Sequence, residues 1–177
     1  MTTAVLTSRV DSPIGPLTLT ASDGALIGLT MENQRHVPPA SPDWRRDDAW
    51  FADVAEQLDA YFAGDLTEFD LPMRLAGTQF QRRVWQGLCT IPYGQTLSYG
   101  ALATRVGSPG GSRAVGLANG RNPIAVIVPC HRVIGANGSL TGYGGGLERK
   151  VDLLDLERIT LSKALTPGGT VPAGATR

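Results

Sequence analysis

The residues IAVIVPCHRVI, at positions 124–134, join a run of apolar side chains to a cysteine, a histidine and an arginine. The run from Ile124 to Val128 has β-branched side chains at positions 124, 126 and 128. This pattern predicts a short strand that is buried on both faces. Because Pro129 has no N–H to give to a sheet, we expect strand pairing to stop there. The predicted strand therefore presents three reactive side chains at its end.

Cys130 is the candidate nucleophile of this stretch. A thiol reacts as its thiolate, and it needs a base or a positive neighbour to reach that form. His131 and Arg132 are candidates for these two parts, but adjacent side chains in a strand point apart. A nucleophilic site therefore requires a turn at Pro129–His131. The stretch alone leaves the alternative open, which is a small buried cysteine after a core strand.

Length and composition favour one or two compact domains, with 177 residues, 42% of them hydrophobic and 18% charged. Nothing in the sequence resembles a transmembrane span or a secretory signal, so we expect a cytoplasmic protein. Two cysteines make no disulfide framework, and we interpret Cys89 as structural. No spacing among the cysteines and the two histidines, His36 and His131, is typical of a metal site. We therefore expect no bound metal.

The net charge is zero, but the two halves of the chain differ in sign. Residues 1–75 carry five arginines against twelve acidic residues, whereas residues 76–150 carry eight basic residues against the single acid Glu148. This asymmetry predicts a polyanionic partner for the second half. The alternative is a chance cluster of cations on a solvated face.

The first half reads as a small α/β scaffold without a distinct nucleophile. Alternating residues predict a hairpin over 17–29 that turns at 22–24, preceded by a strand at about 4–10. Residues 33–46 are polar and proline-rich and predict a loop. A helix is predicted from a cap at Asp48 to about Phe62, with Gly64 ending it. A short extended piece is expected at 68–71.

The second half has the outline of a helix-turn-helix. Thr78 and Gln81 form a capping box that opens one helix. Ser98 is predicted to cap a second helix, and Ser112 a third that runs to about Asn119 after the turn Gly107–Gly111. That third helix is rich in small residues, which suits close approach to a nucleic-acid groove. A plain helical corner is the alternative.

Glycines and a final helix follow the cysteine. A turn at 135–138 leads to Tyr143, which has glycines at 142, 144, 145 and 146 around it, and this composition indicates a loop shaped for close approach. A helix is predicted over about Leu147 to Ile159. Glu157 falls on its inward side, where a carboxylate needs a partner such as a histidine. Residues 160–177 are predicted to be a disordered tail.

Together, Pro129-Cys130-His131-Arg132-Val133-Ile134, Asn122-Pro123, Arg113-Ala114-Val115-Gly116 and Tyr143 before glycines resemble the O6-alkylguanine-DNA alkyltransferases. The resemblance covers about residues 4 to 159. It implies a ribonuclease-H-like α/β domain at 1–75 and a mostly helical domain at 76–159, with a winged-helix-like helix-turn-helix. It also implies a monomer that acts on double-stranded DNA containing O6-alkylguanine. Cooperative binding to DNA is left open.

The resemblance also implies roles for individual residues. Cys130 accepts the alkyl group, His131 takes its proton through a water, and Glu157 lies behind the histidine. Asn122 orients the turn, and Tyr99 helps to rotate the nucleotide and protonates the guanine. On the DNA-binding helix, Arg113 replaces the flipped base, with Ser112, Ala114 and Gly116 beside it. The pocket is lined by Tyr143, Val133 and Gly144.

The implied reaction is one irreversible transfer of the alkyl group to the thiol, which needs no cofactor. Two departures from the family are visible. Some members hold zinc in the amino-terminal domain, and this chain lacks such a ligand set there. Gly144 stands where members have a hydroxyl residue. The competing hypotheses are a DNA-lesion-binding or regulatory helix-turn-helix protein without activity, and a cysteine hydrolase built on Cys130 and His131.

Overall fold

The computed structural model describes residues 4–166 and 173–174 of the chain. Its elements follow the order of a small sheet, one helix, and then a group of helices with a two-stranded sheet. This arrangement confirms an α/β amino-terminal part followed by a mostly helical part. Within the described residues, no helix is long and apolar enough to cross a membrane.

The first sheet contains four strands, β1 (Leu6–Val10), β2 (Leu17–Ser22), β3 (Ala25–Met31) and β4 (Arg45–Arg46), in the order β3-β2-β1-β4. The predicted hairpin is confirmed, since β2 and β3 pair antiparallel around a turn in which Asp23 and Gly24 both have positive φ. The prediction that 33–46 has no regular structure is wrong at its end. There, β4 adds to the free edge of β1 in parallel.

Helix α1 (Ala52–Ala63) covers the sheet with Val54, Leu58 and Tyr61 buried. Gly64 ends it in the left-handed conformation, as predicted. The predicted cap at Asp48 is wrong, because that carboxylate accepts from Ser8 and Arg46 and the helix begins after Phe51. The extended piece expected at 68–71 lies in a segment without helix or strand. Just after it, Met73 bridges to Leu26 of β3, with hydrogen bonds through Pro72 and Arg74.

The second part contains α2 (Gln79–Leu88), β5 (Leu97–Ser98), α3 (Tyr99–Arg105), α4 (Ser112–Gly120), β6 (Val133–Ile134) and α5 (Leu147–Ala164). The capping box of Thr78 and Gln81 and the Ser98 cap are confirmed by hydrogen bonds to backbone N–H groups. Ser112 is not a cap, because α4 begins at that residue and Gly111 precedes it. β5 and β6 pair in parallel and bring the start of α3 next to the turn that carries the cysteine.

The strand predicted at 124–128 is wrong. Only Ile124 bridges to a strand, at Leu29, and the chain then turns back so that the Val128 N–H donates to the Ile124 carbonyl at 3.0 Å. The Asn122 amide makes this turn possible, because it donates to the Val128 carbonyl at 2.7 Å and accepts from the Ile124 N–H at 3.0 Å. Val126 has a φ of 70°, a strained value for a β-branched residue. The apolar side chains are buried as expected, but in a turn.

Helix α5 is longer than predicted and ends at Ala164 rather than at Ile159. Residues 160–164, which were assigned to the disordered tail, are therefore helical. Of the remaining tail, the Ala173 carbonyl accepts from the Thr67 N–H at 3.0 Å. The rest of that prediction, at 167–172 and 175–177, lies outside the described residues.

Candidate active site

Cys130 begins a single 3₁₀ turn, Cys130–Arg132, at the end of the buried 124–128 turn. The turn that a nucleophilic site requires at Pro129–His131 is therefore present. The 3₁₀ turn sends the Cys130 and His131 side chains to different neighbours. Cys130, with 5% of its surface exposed, borders a small cavity, whereas His131 faces α5. Among the described residues, no hydrogen bond joins the cysteine sulfur directly to His131.

Glu157 of α5 is fully buried and is the centre of a hydrogen-bond network. Its carboxylate accepts from His131 Nε2 at 2.8 Å, and from Arg132 Nε and Nη2 at 2.9 and 2.8 Å. The Tyr61 hydroxyl donates to it at 2.8 Å and the Gly94 N–H at 3.0 Å. Burial raises the pKa of Glu157, but the bonds from His131 and Arg132 outweigh this and lower the pKa to about 2. The prediction of an inward carboxylate with a histidine partner is confirmed.

The network fixes the tautomer of His131. A carboxylate can only accept, so Nε2 carries the ring proton and Nδ1 carries a lone pair. That Nδ1 is buried and has no hydrogen-bond partner among the described residues. Burial lowers the pKa of His131, with smaller contributions from the charges of Arg132 and Lys150, and overrides the opposite effect of Glu157. The histidine is therefore neutral near neutral pH and can accept a proton.

Cys130 shares a cavity of about 10 Å³, room for roughly one water molecule, with Asn122, Tyr143 and Gly144. Burial raises the pKa of the Cys130 thiol, while the polar groups of Asn122 and Tyr143 and the charge of Lys150 oppose this rise. The Tyr143 hydroxyl is buried without a hydrogen-bond partner among the described residues, and burial next to Cys130 holds its pKa well above the ordinary value. Four predicted site residues thus meet at one cavity.

Tyr99 and Val133 lie beside this cavity and not in its lining. The Tyr99 hydroxyl donates to the Thr141 carbonyl at 3.0 Å, and burial raises its pKa. Val133 is fully buried, and its carbonyl accepts from Lys150 Nζ. Both residues are therefore engaged with the loop and helix that follow the cysteine.

Lys150 is a site residue that sequence reasoning missed. Its side chain is fully buried, and Nζ donates to the Val133 carbonyl at 2.6 Å and to the Thr141 carbonyl at 3.2 Å. Burial lowers its pKa, and the thiol of Cys130 acts in the opposite direction. A signal was present in the sequence, because Lys150 lies on the same helical stripe as Leu153 and Glu157. Arg132 was also missed as a partner of the carboxylate.

The predicted DNA-binding residues lie on α4 and away from the cavity lining. Ser112, Arg113 and Ala114 are exposed, and Arg113 makes no ion pair with the described residues. A Cβ at Gly116 would lie 3.7 Å from the Tyr99 ring, so this glycine packs against α3 at an ordinary distance. Leu117, which sequence reasoning did not select, has 64% of its surface exposed on the same helix.

The structure thus combines a buried cysteine beside a histidine–glutamate pair with two successive helices, α3 and α4, of which α4 has an exposed amino-terminal end. Two family descriptions match the chain: the 6-O-methylguanine DNA methyltransferase ribonuclease-like domain at residues 5–75, and the DNA binding domain of the same family at 79–159. The chain belongs to the 6-O-methylguanine DNA methyltransferase family, and the resemblance inferred from the sequence is confirmed.

Individual relatives agree with this assignment. The methylated-DNA–protein-cysteine methyltransferase of Mycobacterium leprae is 57% identical over 89% of this chain and 94% of its own length. Its counterpart in Mycolicibacterium paratuberculosis is 59% identical over the same shares. A crystal structure of the Mycobacterium tuberculosis protein OGT in complex with DNA superposes with a TM-score of 0.84, at 56% identity, over 88% of this chain and 94% of that one.

No metal centre is visible in the described part of the chain, where no three His, Cys, Asp or Glu side chains are grouped as ligands. Cys89 is exposed at the end of α2, and so it is separate from the buried cysteine.

Proposed function

We propose that this chain is a methylated-DNA–protein-cysteine methyltransferase that repairs DNA by moving the alkyl group of O6-alkylguanine onto Cys130. The observation that carries the proposal is the buried Cys130 thiol, placed one residue before a histidine that Glu157 holds by its Nε2. The names of the relatives and the DNA complex support the same activity. Nucleophile, base and orienting carboxylate are the three parts of an activated nucleophile.

Proton removal is the first step, and His131 is the base. Its lowered pKa leaves the ring neutral, and the lone pair of Nδ1 takes the thiol proton through a bridging water. The Glu157 carboxylate then stabilises the imidazolium that forms, because its pKa of about 2 keeps it ionised. Arg132 neutralises this carboxylate while the site is at rest.

The thiolate is stabilised by donors that face Cys130. Asn122, the Tyr143 hydroxyl and the charge of Lys150 all lower the pKa of a thiol that burial raises. A thiol whose pKa stays high yields a more nucleophilic thiolate than an acidic one. The site thus keeps the sulfur protonated at rest and reactive once the proton is removed.

Transfer is a single substitution at carbon. The sulfur lone pair attacks the alkyl carbon, and the bond from that carbon to guanine O6 breaks with its electron pair left on the base. Tyr99 gives the leaving guanine a proton. Tyr143 and Gly144 line the base pocket, and Val133 lies beside it. The thioether product is not reversed by thiol exchange, so each molecule acts once and needs no cofactor.

Delivery of the base requires flipping, because an alkyl group at O6 lies within a stacked base pair. Helix α4 enters the minor groove, and Arg113 fills the space of the flipped base. Ser112, Ala114 and Gly116 lie against the DNA backbone. The basic second half binds phosphates without sequence preference, as a protein that searches all DNA must. In this proposal a winged-helix-like domain at 76–159 binds DNA as a monomer, and a ribonuclease-H-like domain at 1–75 supports it.

The acceptor cavity has to open for this reaction. Its volume of about 10 Å³ is far below that of a guanine ring. Tyr143 and Gly144 belong to the loop that closes it, and this loop is bracketed by Gly142 and Gly146, which both have positive φ. Movement of this glycine loop, residues 142–146, admits the flipped base.

Intact mass spectrometry tests the proposal. The protein is incubated with an excess of duplex DNA containing O6-methylguanine, and we expect a gain of one methyl group that maps to Cys130. Cys130→Ser is the control and gains nothing, whereas Cys89→Ser gains the methyl group as the unchanged chain does. DNA binding without a mass gain would instead indicate a lesion-binding or regulatory protein. Continued turnover without a mass change would indicate a hydrolase.

A further inference from the structure

A second and much larger cavity lies next to the acceptor cavity. Its volume is about 520 Å³, within the usual range of small-molecule sites. It is formed by the face of β2 and β3 that carries threonines, by the segment from Gln34 to Trp44, and by Pro123. Val37, Pro38 and Trp44 give it an apolar wall. The acceptor cavity beside it measures about 10 Å³ while the glycine loop is closed.

Among the described residues, two side chains line both cavities, namely Gln34 and Asn122. Asn122 is fixed, because it is 4% exposed and its amide closes the 124–128 turn with two backbone hydrogen bonds. Gln34 is half-buried, and its side chain makes one hydrogen bond, in which Oε1 accepts from the Met31 N–H at 2.9 Å. Gln34 is therefore the part of the shared wall that can move or be shortened.

Before the glycine loop moves to admit the base, several other walls of the acceptor cavity are held in place. Tyr143 is buried, and a Cβ at Gly145 would collide with the sulfur of Met31. The Gly144 carbonyl accepts from the Arg35 N–H at 2.9 Å, so the glycine loop is tied to the residue after Gln34. Gln34 lies outside the glycine loop and between the two cavities, so an alkyl group that extends beyond its first carbon towards the larger cavity meets Gln34.

We propose that Gln34 determines the size of the alkyl group that this protein accepts, and that the 520 Å³ cavity receives the outer part of a larger group once Gln34 is shortened or turned away. This inference rests on the proposed function. The group that fits against the wall of Val37, Pro38 and Trp44 is uncharged, such as a benzyl. His36, Gln81 and Arg121 also line this cavity and give it a polar part. The chemical step is unchanged: sulfur bonds to the first carbon, and guanine leaves with the electron pair of the C–O bond and takes a proton.

Rate constants for two substrates test this inference. Duplex DNA containing O6-methylguanine or O6-benzylguanine is reacted with the unchanged chain and with Gln34→Ala. We expect Gln34→Ala to raise the benzyl-to-methyl rate ratio roughly tenfold or more, the discrimination that a few carbon atoms provide in an apolar pocket. An unchanged ratio in a Gln34→Ala protein that unfolds at the usual denaturant concentration overturns the proposal.

Two further variants separate volume from hydrogen bonding. Gln34→Met keeps the length of the side chain but loses the bond to Met31, and we expect the ratio of the unchanged chain. An equal rise in Gln34→Met would overturn the role of side-chain volume. Val37→Phe fills the large cavity, and in the Gln34→Ala background it should reverse the gain for benzyl. If the unchanged chain gains no methyl group at all, the result contradicts the proposed function. A methyl gain with an unchanged benzyl-to-methyl ratio contradicts only the role of Gln34.

Discussion

Glu157 is a carboxylate in the protein interior, where burying a charge costs free energy. Hydrogen-bond donors from four residues stabilise it there. Two of these donors come from the 3₁₀ turn of Cys130, so the same carboxylate orients the base and anchors the turn. Because one carboxylate has both roles, the stability of the fold depends on the protonation state of the site.

The pH dependence of stability follows from these shifts. The pKa of His131 is lowered on folding, so the unfolded chain binds its proton first and stability falls as pH drops below the ordinary value of 6.5. The pKa of Glu157 is also lowered, from 4.5 to about 2, so a second loss begins below pH 4.5 and continues to about pH 2.

Glu157→Gln tests the contribution of the carboxylate to stability and to the pH dependence of stability. We expect a loss of about 3–5 kcal/mol of unfolding free energy at pH 7, because Arg132 keeps its charge in a buried place without its anion. The second loss below pH 4.5 should disappear. Urea unfolding at several pH values measures both effects. Glu148→Gln, in the exposed first turn of the same helix, is the control and should change neither; a similar acid dependence in both variants would contradict the role of Glu157.

Sequence patterns could predict Glu157 and His131 as partners, because helix periodicity turns Glu157 inward and a buried carboxylate needs a donor. They could not predict Gln34, which enters the cavity from a loop that has no periodicity. Lys150 was missed for a different reason. A lysine on an apolar stripe is usually exposed at its tip, and only the carbonyls of Val133 and Thr141 make its burial tolerable.

Secondary structure elements were predicted where a local signal is sufficient. Thr78 with Gln81 and Gly64 mark helix ends through bonds to nearby residues, and these predictions are confirmed. The 124–128 strand is wrong because the side chain of Asn122 satisfies the backbone groups that a sheet would have satisfied. Hydrophobic periodicity reports only which side chains are apolar. It does not show that a side chain, rather than a neighbouring strand, bonds to the backbone.

At the scale of secondary structure elements, the prediction concerns helix α4. Arg113→Ala should weaken transfer from duplex DNA far more than transfer from the free alkylated base, because Arg113 is exposed and outside the cavity lining. Rate constants on both substrates check this prediction.

Arg105→Ala is a matched control for Arg113→Ala, since Arg105 ends α3 and bonds to Thr90. We expect it to leave the ratio of the two rates unchanged. Equal losses on duplex and free base in Arg113→Ala would contradict the proposed role of this residue.

At the scale of the whole molecule, Arg149 joins the two halves of the chain. Its Nε donates to the Ile14 carbonyl at 2.9 Å, and Nη1 donates to the Glu32 and Gly145 carbonyls at 2.8 and 3.0 Å. The glycine loop is thereby held against the amino-terminal sheet. Sequence patterns predicted an α/β half and a mostly helical half. They could not predict the contacts between the halves, because residues so far apart in the chain leave no pattern in the sequence around either one.

Arg149→Met keeps the aliphatic stem and removes these bonds. We expect a loss of about 2 kcal/mol of unfolding free energy, since bonds from a charged donor contribute more than neutral ones. Amide hydrogen exchange over residues 142–146 should become faster, and this is measured by mass spectrometry of peptides. The control is Arg158→Met on the same helix, whose ion pair with Asp155 is exposed and contributes at most about 1 kcal/mol. Unchanged exchange in Arg149→Met would contradict the tether.

The place of α5 in the chain has a consequence for protein synthesis. Among the described residues, this helix follows the other helices and strands, yet it supplies Glu157 and Lys150 to a turn that the ribosome has made earlier. A nascent chain therefore holds Cys130 and its base His131 without the orienting carboxylate of Glu157 until α5 has emerged and docked. Since each molecule is proposed to act only once, the repair capacity of a cell is set by how many chains complete that last docking step.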